Sequence, residues 1–151
     1  MGVPRLNLVL LLGAVLLGTG LALQVAMNTR LRGFAAGPVG ASLVSFAVGT
    51  LALGVVLLAM RGPWPGPSLG QAPYWAWAGG LMGALYVLGT VLIAPRIGPG
   101  PLLAAVVMGQ MSTALLLEHF GALGTVHHPV NLVRILGVLL IVVGAALVRL
   151  Y

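Results

Sequence analysis

Residues Gly109 to Gly121 read GQMSTALLLEHFG and contain Glu118, the one acidic residue in a chain of 151. Gln110, Ser112 and Thr113 share this stretch, inside an apolar run of membrane-spanning length. A soluble domain needs roughly a quarter of its residues charged to wet its surface. Here charged residues make up 5% and hydrophobic ones 60%, and the mean hydropathy is +1.16. Such a chain suits a solvent as apolar as itself, which makes it an integral membrane protein.

In lipid the backbone must satisfy its own hydrogen bonds, and runs of about twenty apolar residues do so as helices. Five such runs follow one another, at about 6–27, 39–60, 74–94, 101–120 and 132–150, so the expected fold is all-α with five transmembrane helices in a single domain, 1–151. The first run is over twenty residues with no clear small-x-small cleavage site. A secretory h-region is roughly 7–15 residues, so this run is read as a retained helix. Breakers mark the connections. Thr29–Pro38 is read as a loop with Arg30 and Arg32, and Gly62–Pro73, rich in Pro and Gly, as a turn in which no helix survives. Pro95–Pro101 ends the third helix and starts the fourth, and Gly121–Asn131 holds His127 and His128. Trp64, Trp75 and Trp77 form an aromatic belt at one membrane surface.

Small residues mark faces where another backbone can come close. Gly18 continues a ridge with Ala14, Ala22 and Ala26, and Gly49 one with Ser42, Ser45 and Ala52. Gly79 and Gly83 form a GxxxG, and Gly137 and Gly144 lie a heptad apart in the fully apolar fifth helix. These six glycines are the packing candidates. Gln24 and Asn28 give the first helix an amide face opposite its small one, so it is expected to be surrounded by protein.

The net charge of +6 comes from seven arginines, with no lysine. A basic soluble protein would suggest nucleic acid, but these arginines stand singly at the ends of apolar runs, where they snorkel to lipid headgroups. Arginine without lysine, with abundant Gly, Ala and Leu, points to a bacterial, GC-rich source and hence to the cytoplasmic (inner) membrane. No cysteine is present.

Orientation normally follows an excess of basic residues on the cytoplasmic side. With five spans, Arg5, Arg61 and Arg134 fall on one side and Arg30, Arg32, Arg96 and Arg149 on the other. Either something else fixes one orientation, or the chain inserts both ways and pairs as an antiparallel homodimer. An odd number of spans fits the second reading, because a copy inserted upside down supplies the inverted repeat between which transporters place their sites.

The segments QVAMNTRL (24–31), SFAVG (45–49), WAWAGGLMGA (75–84), VVMGQ (106–110) and EHFG (118–121) come in this order. Together they resemble the YdcZ-like family of small bacterial membrane proteins in the drug/metabolite transporter superfamily. The resemblance covers the chain from about Gln24 to its end. It implies a five-helix half of a transporter, found as dual-topology chains, paired genes or fused ten-helix proteins. It also implies transport activity, with either a second copy or a paired homologue as partner. Members often carry Asp where this chain has Glu118, so the carboxylate is kept with a longer reach. The four-helix small multidrug exporters are related only by superfamily. Their glutamate in the first helix has no counterpart here, so cation antiport does not carry over.

Gln24, Asn28, Ser45, Tyr86, Thr90, Gln110 and Thr113 are the substrate-pathway candidates: uncharged hydrogen-bonding groups on four helices, suited to a neutral or weakly charged organic metabolite. Gln110 lies near mid-membrane, where it serves either as substrate contact or as amide glue between helices. Glu118 is the coupling or gate candidate, or else an ion-pair partner of Arg61 or Arg134. His119 follows it but points about 100° away, so the two make no dyad on one face. A metal site needs convergent ligands, and one carboxylate without thiols does not supply them. No cofactor is expected, and no catalytic triad or phosphate-cradling loop is present, so an enzyme is not expected. Three functions remain open: an alternating-access small-solute transporter, a passive channel or facilitator, and a non-transporting scaffold or accessory subunit.

Overall fold

The computed structural model describes residues 5–150, and their side chains from Leu8 onward apart from Pro67. The side chain of Arg5, counted above in the charge balance, lies outside the described residues. Five helices are long and apolar enough to cross a membrane: α1 (Arg5–Leu31), α2 (Pro38–Ala59), α3 (Ala78–Ile97), α4 (Pro99–Phe120) and α5 (Leu132–Leu150). No strand occurs among the described residues.

The boundaries differ from the sequence reading in instructive ways. α1 runs four residues past Met27 and carries Arg30 in its last turn, because Asn28 and Thr29 are polar without being breakers. α3 continues through Pro95 to Ile97. A proline so close to a helix end gives up one intrahelical hydrogen bond with little helix left to kink. α4 starts at Pro99, with Pro101 also in its first turn, where backbone N–H groups have no intrahelical partner to lose. The Pro- and Gly-rich connection is not wholly irregular: Pro67–Gln71 and Tyr74–Trp77 form 3-10 turns.

The chain divides into two compact units, residues 1–96 and 97–151. In the first, α1 and α2 meet through a tight turn. Ala35 N–H bonds to Leu31 O at 3.0 Å, Gly37 N–H to Arg32 O at 3.1 Å and Ala41 N–H to Gly37 O at 3.0 Å. The Ala35 carbonyl then lies so close to Gly40 that a Cβ there would stand 1.7 Å from its oxygen. Only glycine fits. α3 approaches α2 with Gly83 against the Phe46 ring, 3.5 Å from where its Cβ would be. Val39, Ser42, Leu43 and Phe46 line a groove of about 260 Å³ with Ala84, Leu85 and Leu88.

The buried residues of this unit all lie toward one end. They are Val25 and Asn28 on α1, Ala41 and Ser42 on α2, and Val87, Thr90, Val91 and Ala94 on α3. The α3 set recurs at helical spacing and forms one stripe. Toward the opposite end the same helices are open. Leu16 and Leu17, Leu51 and Leu53, and Leu81 and Met82 are all more than half exposed. In lipid such exposure carries no hydrophobic penalty, because acyl chains are as apolar as leucine.

The second unit is the α4–α5 hairpin. The start of α4 meets the end of α5 at Gly100, 3.8 Å from Val148 Cγ1 measured from its would-be Cβ. Gly121 closes α4 in the left-handed conformation, φ 60°, and returns its N–H to Glu118 O at 3.3 Å.

Candidate functional site

In the first unit, α1 and α2 form a cleft of about 210 Å³ lined by Gln24, Ser45, Phe46, Gly49, Thr50 and Leu53. Gln24 stands seven residues before the end of α1, about 10 Å along the axis. Its amide can donate and accept, the Ser45 and Thr50 hydroxyls add two more groups of both kinds, and Phe46 supplies an aromatic wall. Gly49 keeps the cleft open, since nothing lies within 4 Å of its would-be Cβ. The sequence reading placed Gln24 and Ser45 among the pathway candidates, and the fold brings them to one cleft. Thr50 was not singled out; its place one residue beyond SFAVG was the available signal.

One turn beyond Gln24, Asn28 is 5% exposed and its Nδ2 has no hydrogen-bond partner. The Thr29 and Tyr86 hydroxyls are likewise buried and unpartnered. Each such group costs on the order of 1–3 kcal/mol if nothing bonds it, so three in one unit are three groups with free bonding capacity. Thr90 is different. It is buried, and its hydroxyl donates to Val87 O at 2.8 Å, which uses its proton within its own helix and leaves it as an acceptor. Ser42 does the same with Pro38 O at 2.9 Å.

The second unit carries Gln110 and Thr113, both exposed on α4. Ser112 donates to Met108 O at 2.9 Å and lines a groove of about 280 Å³ between α4 and α5. The glycines assigned to packing divide into two kinds. Gly83 meets Phe46, whereas Gly18, Gly49, Gly79, Gly137 and Gly144 have nothing within 4 Å of a would-be Cβ.

Glu118 is ion-paired with Arg134, one of the two partners expected for it, and both side chains are about one-third exposed, 34% and 29%. Arg134 also donates from Nη1 to His128 O at 3.0 Å, and its backbone N–H goes to Asn131 Oδ1 at 2.9 Å. Asn131 therefore caps α5. The Glu118 carbonyl accepts from His128 N–H at 2.9 Å, so this residue ties down the connection through side chain and backbone alike. His119 faces elsewhere: its Nδ1 accepts from Val130 N–H at 3.2 Å, and its ring meets Phe120 edge-on at 4.8 Å. Thr125 donates toward Leu117 O and Ala122 O at 2.9 and 2.8 Å. His127 and His128 are exposed. Of this network the sequence reading named the Glu118–Arg134 pair as one of two choices and missed the Asn131 cap, for which a polar residue directly ahead of an apolar run was the available signal.

Among the described residues no group of three or more His, Cys, Asp or Glu could hold a metal ion. The arrangement offers neutral hydrogen-bonding groups in an apolar setting, and one carboxylate held by an arginine. Residues 9–147 match the model of the family described as "Putative inner membrane exporter, YdcZ". No curated protein matches the chain, and no solved structure does. With that match over nearly its whole length and five helices able to span a bilayer, the chain belongs to the YdcZ exporter family and is a multi-pass protein of the inner membrane.

Proposed function

We propose that the chain is one half of an alternating-access exporter of a small, neutral or weakly charged organic metabolite. Two copies inserted in opposite orientations, or one copy with a paired homologue, form the complete transporter. The observation that carries this reading is the cleft of Gln24, Ser45 and Thr50 beside Phe46. It offers amide and hydroxyl groups without charge, which match a solute that hydrogen-bonds but brings no strong charge into the membrane. Asn28 Nδ2 and the Tyr86 hydroxyl add bonding capacity within the same unit. An inverted second copy would give the pathway two equivalent walls that rock about a site near mid-membrane.

The test is uptake of a metabolite library into proteoliposomes, with ligand-dependent thermal shifts of the purified protein as the first screen. Gln24→Leu and Ser45→Ala are expected to lower transport at least tenfold while the protein still inserts and purifies normally. Full activity in both variants would remove the cleft from the pathway.

A passive facilitator is the second reading, favoured by the Glu118–Arg134 pair. The chain's one acidic side chain is engaged by an arginine, whereas a proton-coupled carrier needs a carboxylate that loads and unloads. A solute gradient that never exceeds equilibrium under an imposed pH difference supports the facilitator; accumulation against the gradient supports the coupled carrier. Tolerance of Gln24→Leu and Gln110→Leu with no ligand bound supports a scaffold instead.

A further inference from the structure

Arg30 closes α1, and its guanidinium stands over the Phe34 ring, 6.0 Å from the centroid. Together with Ala26, Met27 and Leu31 these two residues line an open groove of about 500 Å³. The groove is amphipathic along its length: Ala26 and Met27 lie one turn inside the helix end, and Arg30 and Phe34 lie at its rim. The turn that carries Phe34 is held by its own backbone. Arg32 N–H bonds to Asn28 O at 3.1 Å, Gly33 N–H to Arg30 O at 3.2 Å and Phe34 N–H to Leu31 O at 2.9 Å. The backbone that carries the ring is therefore fixed relative to the end of α1, and the ring itself, 79% exposed, is open to a ligand.

Among the described residues Arg30 has no acidic partner. Glu118 is the one acidic side chain, and Arg134 holds it. A guanidinium at the membrane boundary needs an anion, and its planar fork matches phosphate oxygens. An isolated anion would meet the Arg30 end of the groove and leave the apolar floor unused. A molecule with a phosphate at one end and a hydrocarbon chain at the other fills both.

We infer that the Arg30–Phe34 groove is a binding site for an anionic glycerophospholipid, with the phosphate on Arg30 and an acyl chain along Met27 and Ala26. The site selects by charge at the headgroup and by apolar contact below it, and it does not depend on what the protein transports.

Native mass spectrometry of the purified chain tests this, with phosphatidylglycerol and phosphatidylcholine of equal chain length in competition. One arginine near a membrane surface supports a preference of about fivefold for the anionic lipid. Arg30→Gln is expected to abolish that preference, whereas Arg149→Gln, at the end of α5, should leave it. Met27→Trp fills the groove while keeping the charge and should also lose bound phosphatidylglycerol. Its retention time on gel filtration shows whether the fold survives. A preference that persists in Arg30→Gln, or that falls equally in Arg149→Gln, overturns the assignment. So does inorganic phosphate stabilising the protein against heat as well as short-chain phosphatidylglycerol does, since that result makes the site one for free anions.

Discussion

Gly40 is the described glycine at which the backbone leaves least room. A Cβ would stand 1.7 Å from the Ala35 carbonyl oxygen, so Gly40→Ala must open the α1–α2 turn. A loss of more than about 3 kcal/mol is expected, read as failure to recover monodisperse protein. Gly54, also in α2, has nothing within 4 Å, and Gly54→Ala should be neutral or stabilise by about 0.5–1 kcal/mol through helix propensity. Glu118 and Arg134 test a second kind of contact. Because each is about one-third exposed, solvent screening limits the pair, and a double-mutant cycle with Glu118→Gln and Arg134→Gln should give a coupling near 1 kcal/mol. Thermal unfolding in detergent measures it, and a coupling near zero would mean the pair does not hold the hairpin. The chemistry of Glu118 was legible as a choice between Arg61 and Arg134. Gly40 was not legible, because nothing local distinguishes it from the other glycines of this chain.

At the scale of elements, α5 is the helix with least cover: no residue of its membrane-spanning window is buried. Gly137 and Gly144 lie on it with open space where a side chain would be. If they form a seam against a second copy, Gly137→Leu lowers the yield of crosslinked dimer severalfold while leaving the purified chain folded. Unchanged crosslinking would assign that face to lipid. The existence of all five helices was readable from apolar run length, because membrane thickness fixes how many residues a span needs. Their ends were less so. Pro95 reads as a stop, yet α3 passes through it, and Thr29 to Leu31 read as loop, yet they are helical. Polarity and proline count mark where a helix can end. The tight turn after Leu31 and the short bend at Gly98 decide where it does.

At the scale of the molecule, the arginines divide three against four between the two sides by span counting. Reporters fused to the C-terminus are therefore expected to give signal from both compartments. Adding Ser68→Arg and Gln71→Arg to the α2–α3 connection should bias the population toward one orientation, with that connection cytoplasmic. A single location in the unaltered chain would argue against the antiparallel pair. The sequence by itself determined that this is a five-span membrane protein of an exporter family, because hydropathy and ordered motifs are properties of the chain read in one dimension. It also supplied the neutral amides and hydroxyls from which a site can be built. Only the tertiary structure decided which of them share a cleft, that the Thr90 hydroxyl donates within its own helix, and that Arg134 rather than Arg61 holds Glu118. Those outcomes depend on helix rotation and register. In a chain apolar on nearly every face, no hydrophobic periodicity announces either one, so both are set by close packing and by the few polar groups that must find partners.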